Sequence, residues 1–377
     1  MKKALINGQI VFDDRIESLD IIMDETILEI GKNVNKQDCE IIDVKGAYVS
    51  SGFIDIHIHG SKGADVMDGK ISSLDIISEA VLKNGVTSFL ATTMTMSKQD
   101  IKKSFEVVSD YMKSQDKGAK ILGIHVEGPF INKSYKGAQN GNYIIAPDYD
   151  MIKSHMDIIR LMTIAPEVEG TLDFVERLKK ESSQIKFSIG HSGATFEEAI
   201  KGYETGIDST THLFNGMTGL HHRNPGIVGA VFKKKPYFEV IADKIHVHEG
   251  LFDILGDCIG LDKMILVTDA MCACQMAPGE YELGGQLVVV DDTSARLKGG
   301  TLAGSILKMN EAIKNLKEHT NYELYDLINM VTINPATMLG LENIGKVETG
   351  YHADLTVFDK DMKVQYTIVN GTVKYGG

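Results

Sequence analysis

Two histidines one residue apart, His57 and His59, lie in the apolar run Phe53-Ile54-Asp55-Ile56-His57-Ile58-His59. Side chains alternate across a β-strand, so this spacing turns both imidazoles to one side, where they can share a metal ion. Two imidazoles alone do not complete a zinc-type site, which takes three or four nitrogen, sulfur or oxygen ligands. Four other apolar runs end on a suitable group. Ile121-Leu122-Gly123-Ile124-His125-Val126 ends in Glu127, and Ile185-Lys186-Phe187-Ser188-Ile189-Gly190 ends in His191. Ile207-Asp208-Ser209-Thr210-Thr211 ends in His212, and Met264-Ile265-Leu266-Val267-Thr268 ends in Asp269. One strand-terminal carboxylate is often only a helix N-cap, and one buried histidine is often a core hydrogen-bonder. Four histidines and two carboxylates in register with strand ends instead suggest one ligand set for Zn²⁺, Fe²⁺ or a related divalent ion; the affinity order does not choose among them.

The elements that must position these groups follow from periodicity. Apolar, β-branched runs recur near 53–59, 87–93, 121–127, 158–164, 185–191, 207–212, 237–242 and 263–269. Helix-like segments separate most of them, over 73–84, 98–115, 170–181, 195–204 and 249–258. Eight buried strands alternating with helices predict an α/β fold, a (β/α)8 TIM-like barrel over 51–344, although a doubly wound sheet gives similar text. In such a barrel the reactive groups gather at the C-terminal ends of the strands. Residues 1–50 and 345–377 read as short strands with turns, including Asn7-Gly8 and Asn370-Gly371, each a strong hairpin signal. Neither end holds enough apolar residues for its own core, so both together should form one small β-sandwich domain. A hairpin is expected over 291–302 and a last helix over 305–316. The loop 271–278 reads either as a flexible lid or as a plain exposed loop.

The formal net charge is −13, with no basic excess to neutralise phosphates, which argues against nucleic acid or an anionic membrane as a general partner. No apolar run reaches the length of a membrane span. Cys39, Cys258, Cys272 and Cys274 form no Cys-x-x-Cys pair, and no signal-like segment precedes the first strand. Reduced thiols in a cytoplasmic protein are the expectation.

Taken together and in order, His57-x-His59, Glu127-Gly128-Pro129-Phe130, Gly190-His191-Ser192, Thr211-His212-Leu213-Phe214-Asn215 and Val267-Thr268-Asp269-Ala270 resemble the amidohydrolase superfamily. Within it the chain is similar to the deacetylases of N-acetylated amino-sugar 6-phosphates, and the likeness extends through His221-His222-Arg223-Asn224-Pro225-Gly226, Leu302-Ala303-Gly304-Ser305 and Gly350-Tyr351-His352-Ala353-Asp354-Leu355. The resemblance implies a metal on Glu127, His191 and His212. It also implies a second metal, held in only some members, on His57, His59 and Asp269 with Glu127 as bridge. Asp269 would act as acid and base, and His246 would polarise the substrate carbonyl. Arg223, His222 and the amides of Asn215 and Gly216 would hold the phosphate, with Arg223 crossing a subunit boundary in a homodimer. Ala138, Gln139, Leu302, Ala303 and Gly304 would line the sugar pocket.

The implied reaction is hydrolysis of N-acetylglucosamine 6-phosphate to glucosamine 6-phosphate and acetate in amino-sugar catabolism, with the galactosamine epimer as rival. A dihydroorotase-like cyclic amide hydrolase is disfavoured because many of those enzymes bridge their metals with a carboxylated lysine where Glu127 stands here. A metal-free scaffold is disfavoured because all six candidate ligands are present. Four positions depart from the family pattern: Lys244 where glycine is common, and, bordering the sugar and phosphate pocket, Gly216 where alanine is common, Asn224 where glutamate usually follows the arginine, and Gln139 in place of a histidine found in some members.

Overall fold

The computed structural model describes residues 2–376. Eight parallel strands run in sequence order: Phe53–Ile58, Val86–Thr93, Lys120–Glu127, Ile159–Ile164, Lys186–Ile189, Ser209–Thr210, Tyr237–Val240 and Met264–Leu266. The helices Ile71–Leu82, Lys98–Ser114, Thr171–Glu181, Phe196–Thr205, Gly226–Lys234 and Phe252–Ile259 fall between them. Their apolar faces join the strands in one large buried cluster. Local chemistry sets several ends: Ser97 caps Lys98–Ser114, while a Thr195–Glu198 capping box opens Phe196–Thr205 and Gly206 at φ +109° closes it. The helix Gly226–Lys234 was not expected, because Gly-Ile-Val-Gly-Ala-Val-Phe is apolar on all sides and shows no helical stripe.

The first and eighth strands close the ring at the rim. Asp269 N–H donates to the His57 carbonyl at 2.8 Å, His59 N–H donates to the Ala270 carbonyl at 2.9 Å, and Ile58 bridges Ala270 in parallel. Inside this seam the Thr268 hydroxyl donates to Asp55 at 2.6 Å. Burial pushes the Asp55 carboxyl up to about 7 against those hydrogen bonds. Lower down the two strands diverge, and Met330–Val331 fills the gap: Ile54 N–H donates to the Val331 carbonyl and Leu266 N–H to that of Met330.

Both termini build a second eight-stranded sheet, in the order Thr372–Gly376, Val364–Val369, Leu355–Phe358, Tyr48–Ser51, Lys3–Val11, Ile16–Met23, Ile27–Gly31, with Glu40–Asp43 also on Lys3–Val11. Residues from both halves, Ile21 and Ile27 with Leu355 and Ile368, share one core, so the sheet folds across itself.

Three expectations need correcting. Asn7-Gly8 makes no hairpin; Lys3–Val11 is one strand with a bulge, because both its halves pair with Ile16–Met23. Asn7 takes φ +60° there, donating from its side chain to Asp43 and from its backbone to Asp20. The hairpin expected over 291–302 is present, since Arg296 pairs antiparallel with Leu302 and Ala303 N–H donates to the Ala295 carbonyl at 3.0 Å; it adjoins a three-stranded sheet of Gly279–Leu283, Gln286–Val290 and Ala295–Leu297. Under it Met271, Cys272 and Ala273 are buried, and Cys274 is buried in the barrel core, so this half of the 271–278 loop is neither lid nor exposed loop. The helix expected over 305–316 starts at Met309, since Ser305 N–H and hydroxyl bond instead to the Asp269 and Thr268 carbonyls, and it is not the last: Leu324–Asn329 and Ile333–Leu339 follow.

Asn370-Gly371 does form the expected hairpin, joining Val364–Val369 to Thr372–Gly376 with both residues at positive φ. A Cβ on Gly371 would lie 1.6 Å from the Asp24 carbonyl oxygen. Gly371→Ala is therefore expected to destabilise by about 2 kcal/mol or more, read as a lowered thermal midpoint; an unchanged midpoint would refute the contact.

Candidate active site

The six strand-end residues converge at the C-terminal mouth of the barrel, all of them buried. His191, His212 and Asp269 have φ of +47°, +30° and +48°, a region that non-glycine residues rarely adopt. Each stands just past the end of a strand, where this turn brings its side chain into the mouth. Such conformations cost about 1–3 kcal/mol apiece and persist only where the surroundings enforce them.

Glu127 is the hub. Its Oε1 lies 3.1 Å from His191 Nε2, 3.2 Å from His212 Nε2 and 3.4 Å from His57 Nε2, and its Oε2 lies 3.3 Å from His59 Nε2. Asp269 Oδ1 lies 3.2 Å from His59 Nε2 and 3.5 Å from His57 Nε2. Burial would raise both carboxyls, but the facing imidazoles outweigh it. Glu127 is held well below the carboxylate range and Asp269 down to about 2. Burial likewise opposes the charge on His59, yet Asp269 and Glu127 lift it to about 9.

This donor set fits divalent metal ions. His191 Nε2 and His212 Nε2 are 3.2 Å apart and equally close to Glu127 Oε1. Ligands about 2.0–2.1 Å from a tetrahedral ion stand about 3.3 Å from one another. His57 Nε2 is buried without a hydrogen-bond partner and faces Glu127 and Asp269. Two triads meet the spacing for an ion, Glu127/His191/His212 and His57/His59/Asp269. A third, His57/His125/Glu239, does so on spacing alone. His125 has no free nitrogen for it: Nδ1 lies 3.0 Å from the Ile56 carbonyl and Nε2 2.8 Å from the Thr163 hydroxyl.

A cavity of about 250 Å³ opens over the cluster, lined by Ala138, Gln139, Asn215, Gly216, His246, Leu302 and Gly304 among others. His246 Nδ1 is 2.7 Å from Asp243, whose carboxyl that hydrogen bond holds low in spite of burial. Gly216, at φ +59°, packs so closely that a Cβ would come 2.9 Å from His191 Nδ1, so a larger residue here would have to move that imidazole. Lys244 takes φ +67°, a conformation glycine adopts freely. Gln139 is spent on the protein: its amide oxygen accepts from Thr95 N–H at 2.7 Å and its nitrogen donates to Glu127 Oε2 at 2.5 Å.

Other expected residues lie apart. Ala303 does not line the cavity but is buried against the three-stranded sheet. His222 and Arg223 are exposed, paired with each other at 2.8 Å, and absent from the cavity wall. The cavity also uses Met94, Gly137, Leu283 and Thr301, which carry no signal in the sequence. Glu239 was missed too; it contacts His57 from within the seventh strand.

A model of the amidohydrolase family matches residues 48–374. The chain belongs to the amidohydrolase family. Among relatives, it is 39% identical over 366 residues to an N-acetylglucosamine-6-phosphate deacetylase of Lysinibacillus sphaericus, covering 96% of this chain and 94% of the relative. It is 33% identical to an N-acetylgalactosamine-6-phosphate deacetylase of Escherichia coli O157:H7, covering 90% and 89%. The crystal structure of N-acetylglucosamine-6-phosphate deacetylase from Pasteurella multocida superposes with a TM-score of 0.95 at 30% identity, covering both chains entirely. The barrel of this amidohydrolase and its terminal sheet are thus both part of that shared architecture.

The electrostatics of the amidohydrolase site give a pH dependence. In metal-free protein the raised His59 stabilises fully below its ordinary value near 6.5, and this stabilisation is lost as pH rises through about 9. The depressed Asp269 stabilises above about 4 and loses its effect only as pH falls through about 2. Chelator-treated protein should therefore show a thermal midpoint that falls between pH 6.5 and 9, a fall that zinc loading suppresses. A flat midpoint in the treated protein would mean that the carboxylates do not hold His59 charged.

Proposed function

We propose that this amidohydrolase removes the N-acetyl group of N-acetylglucosamine 6-phosphate, yielding glucosamine 6-phosphate and acetate in amino-sugar catabolism. The observation that carries the reading is the cluster of Glu127, His191, His212, His57, His59 and Asp269 beneath a cavity sized for a single sugar, in a chain 39% identical to a deacetylase of that name. The 33% identity to a galactosamine deacetylase keeps the epimer as second reading.

Glu127, His191 and His212 would hold one divalent ion, Zn²⁺ or Fe²⁺, and His57, His59 and Asp269 a second, with Glu127 between them. When bound, such ions supply acidified water near neutral pH and a Lewis acid for a carbonyl oxygen. The chain's own groups do the rest. Asp269, placed beside His57 and His59, takes the proton of the water that attacks the acetyl carbon and returns it to the sugar nitrogen, which leaves as an amine. His246 would polarise the carbonyl oxygen, and Asp243 at 2.7 Å from its Nδ1 orients the ring. Leu302 and Gly304 bound the sugar, together with Ala138; Gln139 acts by steadying Glu127.

Asn215 and Gly216 line the cavity; the Asn215 N–H is taken by the His212 carbonyl at 2.9 Å, and the Gly216 amide would serve a phosphate. Arg223 and His222 are outside this chain's cavity, which supports a homodimer in which each chain lends its arginine to the other. Light scattering should give the mass of two chains, and Arg223→Ala should raise KM for the phosphorylated sugar about tenfold or more with little change for an unphosphorylated one. A monomer with full activity would end this part of the account. The four thiols, Cys39, Cys258, Cys272 and Cys274, are unpaired, which supports a cytoplasmic setting; no described helix is long and apolar enough to cross a membrane.

Acetate release tests the whole reading. It should require both the 6-phosphate and bound metal, and should favour the glucosamine over the galactosamine epimer. Asp269→Asn should lower kcat by about 10³-fold or more while zinc stays bound at Glu127, His191 and His212. Activity indifferent to chelator or to the phosphate would contradict it.

A further inference from the structure

The four site histidines differ in what stands behind them. His59 Nδ1 lies 3.3 Å from the Thr92 carbonyl, His191 Nδ1 lies 3.0 Å from that of Tyr135, and His212 Nδ1 is buried with no partner. Behind His57 alone stands a carboxylate: Glu239 Oε2 is 2.9 Å from its Nδ1. Glu239 is fully enclosed in the barrel, on the seventh strand, and the same oxygen accepts His212 N–H at 3.1 Å. Its other oxygen is buried without a partner.

A carboxylate has only lone pairs to offer, so it accepts from Nδ1–H and leaves the Nε2 lone pair free. That nitrogen is the buried, unpartnered atom facing Glu127 and Asp269. Glu127, Asp269 and Glu239 form their ion pairs with histidines alone, with no lysine or arginine among the described pairs. Three buried anions in so small a volume demand positive charge beside them. Glu239 adds its charge on the His57 side of the cluster and none directly behind His59, His191 or His212.

We propose that Glu239 is a positioning residue that secures the second metal ion: it fixes the tautomer and orientation of His57 and supplies negative charge to the His57/His59/Asp269 triad. The inference rests on the two-ion reading above. Carboxylates hydrogen-bonded to metal-binding histidines typically change ion affinity by about 10- to 100-fold. The effect should therefore fall on one of two ions, whereas general loosening of the barrel would weaken both.

The test is zinc titration of metal-stripped protein against a chromophoric chelator, with the unfolding midpoint of the stripped protein measured alongside. The unaltered protein should bind two equivalents. Glu239→Gln keeps an acceptor for Nδ1–H and nearly the same shape while removing the charge; it should weaken the second equivalent about 10- to 100-fold and leave the first unchanged. Glu239→Leu removes the acceptor and should bind one equivalent; if it does not fold, Glu239→Gln decides. Two equivalents with unaltered affinities in Glu239→Gln would overturn the proposal, as would equal weakening of both. A single equivalent in the unaltered protein would overturn the two-ion reading and this proposal with it.

Discussion

A carboxylate buried among four imidazoles is the constraint from which the rest of this structure follows. Glu127 lies within 3.1–3.4 Å of nitrogens from His191, His212, His57 and His59. That carboxylate cannot stand in a protein interior by itself, since an unpaired buried charge is worth several kcal/mol of destabilisation. The cluster is tolerated only with protons or metal ions in its midst, which links the chemistry of the site to the stability of the barrel that holds it.

The barrel meets this demand through its strand ends. Five strands deliver these side chains to one rim, and the left-handed turns at His191, His212 and Asp269 concentrate backbone strain there. Rigid pairing below enforces those turns: Asp269 N–H on the His57 carbonyl ties the first strand to the eighth, and Thr268 on Asp55 locks the same seam. Beneath the rim the barrel interior is polar, with His125, Thr163, Thr211 and Ser188 joined in a chain of hydrogen bonds. Each polar atom in that chain finds a partner, which lets a polar layer sit inside an otherwise apolar core.

The barrel and the gathering of these six side chains at its rim were legible because both depend on local signals: β-branched runs at regular spacing and a polar residue at the ends of five of them. Features set by long-range contact were not. Asn7-Gly8 and Asn370-Gly371 are the same dipeptide between apolar runs, yet one is a bulge and the other a turn, according to which strand each half pairs with. Glu239 sits inside Tyr-Phe-Glu-Val, where nothing distinguishes an inward carboxylate from an outward one; an acidic residue within a barrel strand was the only available signal. Gln139 matched a sugar-lining position, but the amide is spent on Thr95 and Glu127. Arg223 shows the opposite limit, since this chain alone does not bring it to the cavity.

The central claim is that Glu127 joins two ion sites, one on His191 and His212 and one on His57, His59 and Asp269. Anomalous diffraction at the zinc absorption edge, on crystals grown with zinc, addresses it most directly. The account predicts two peaks, one on each side of the Glu127 carboxylate. A zinc-loaded crystal with no peak between Glu127, His191 and His212, or with one peak there and none at His57 and His59, would contradict it.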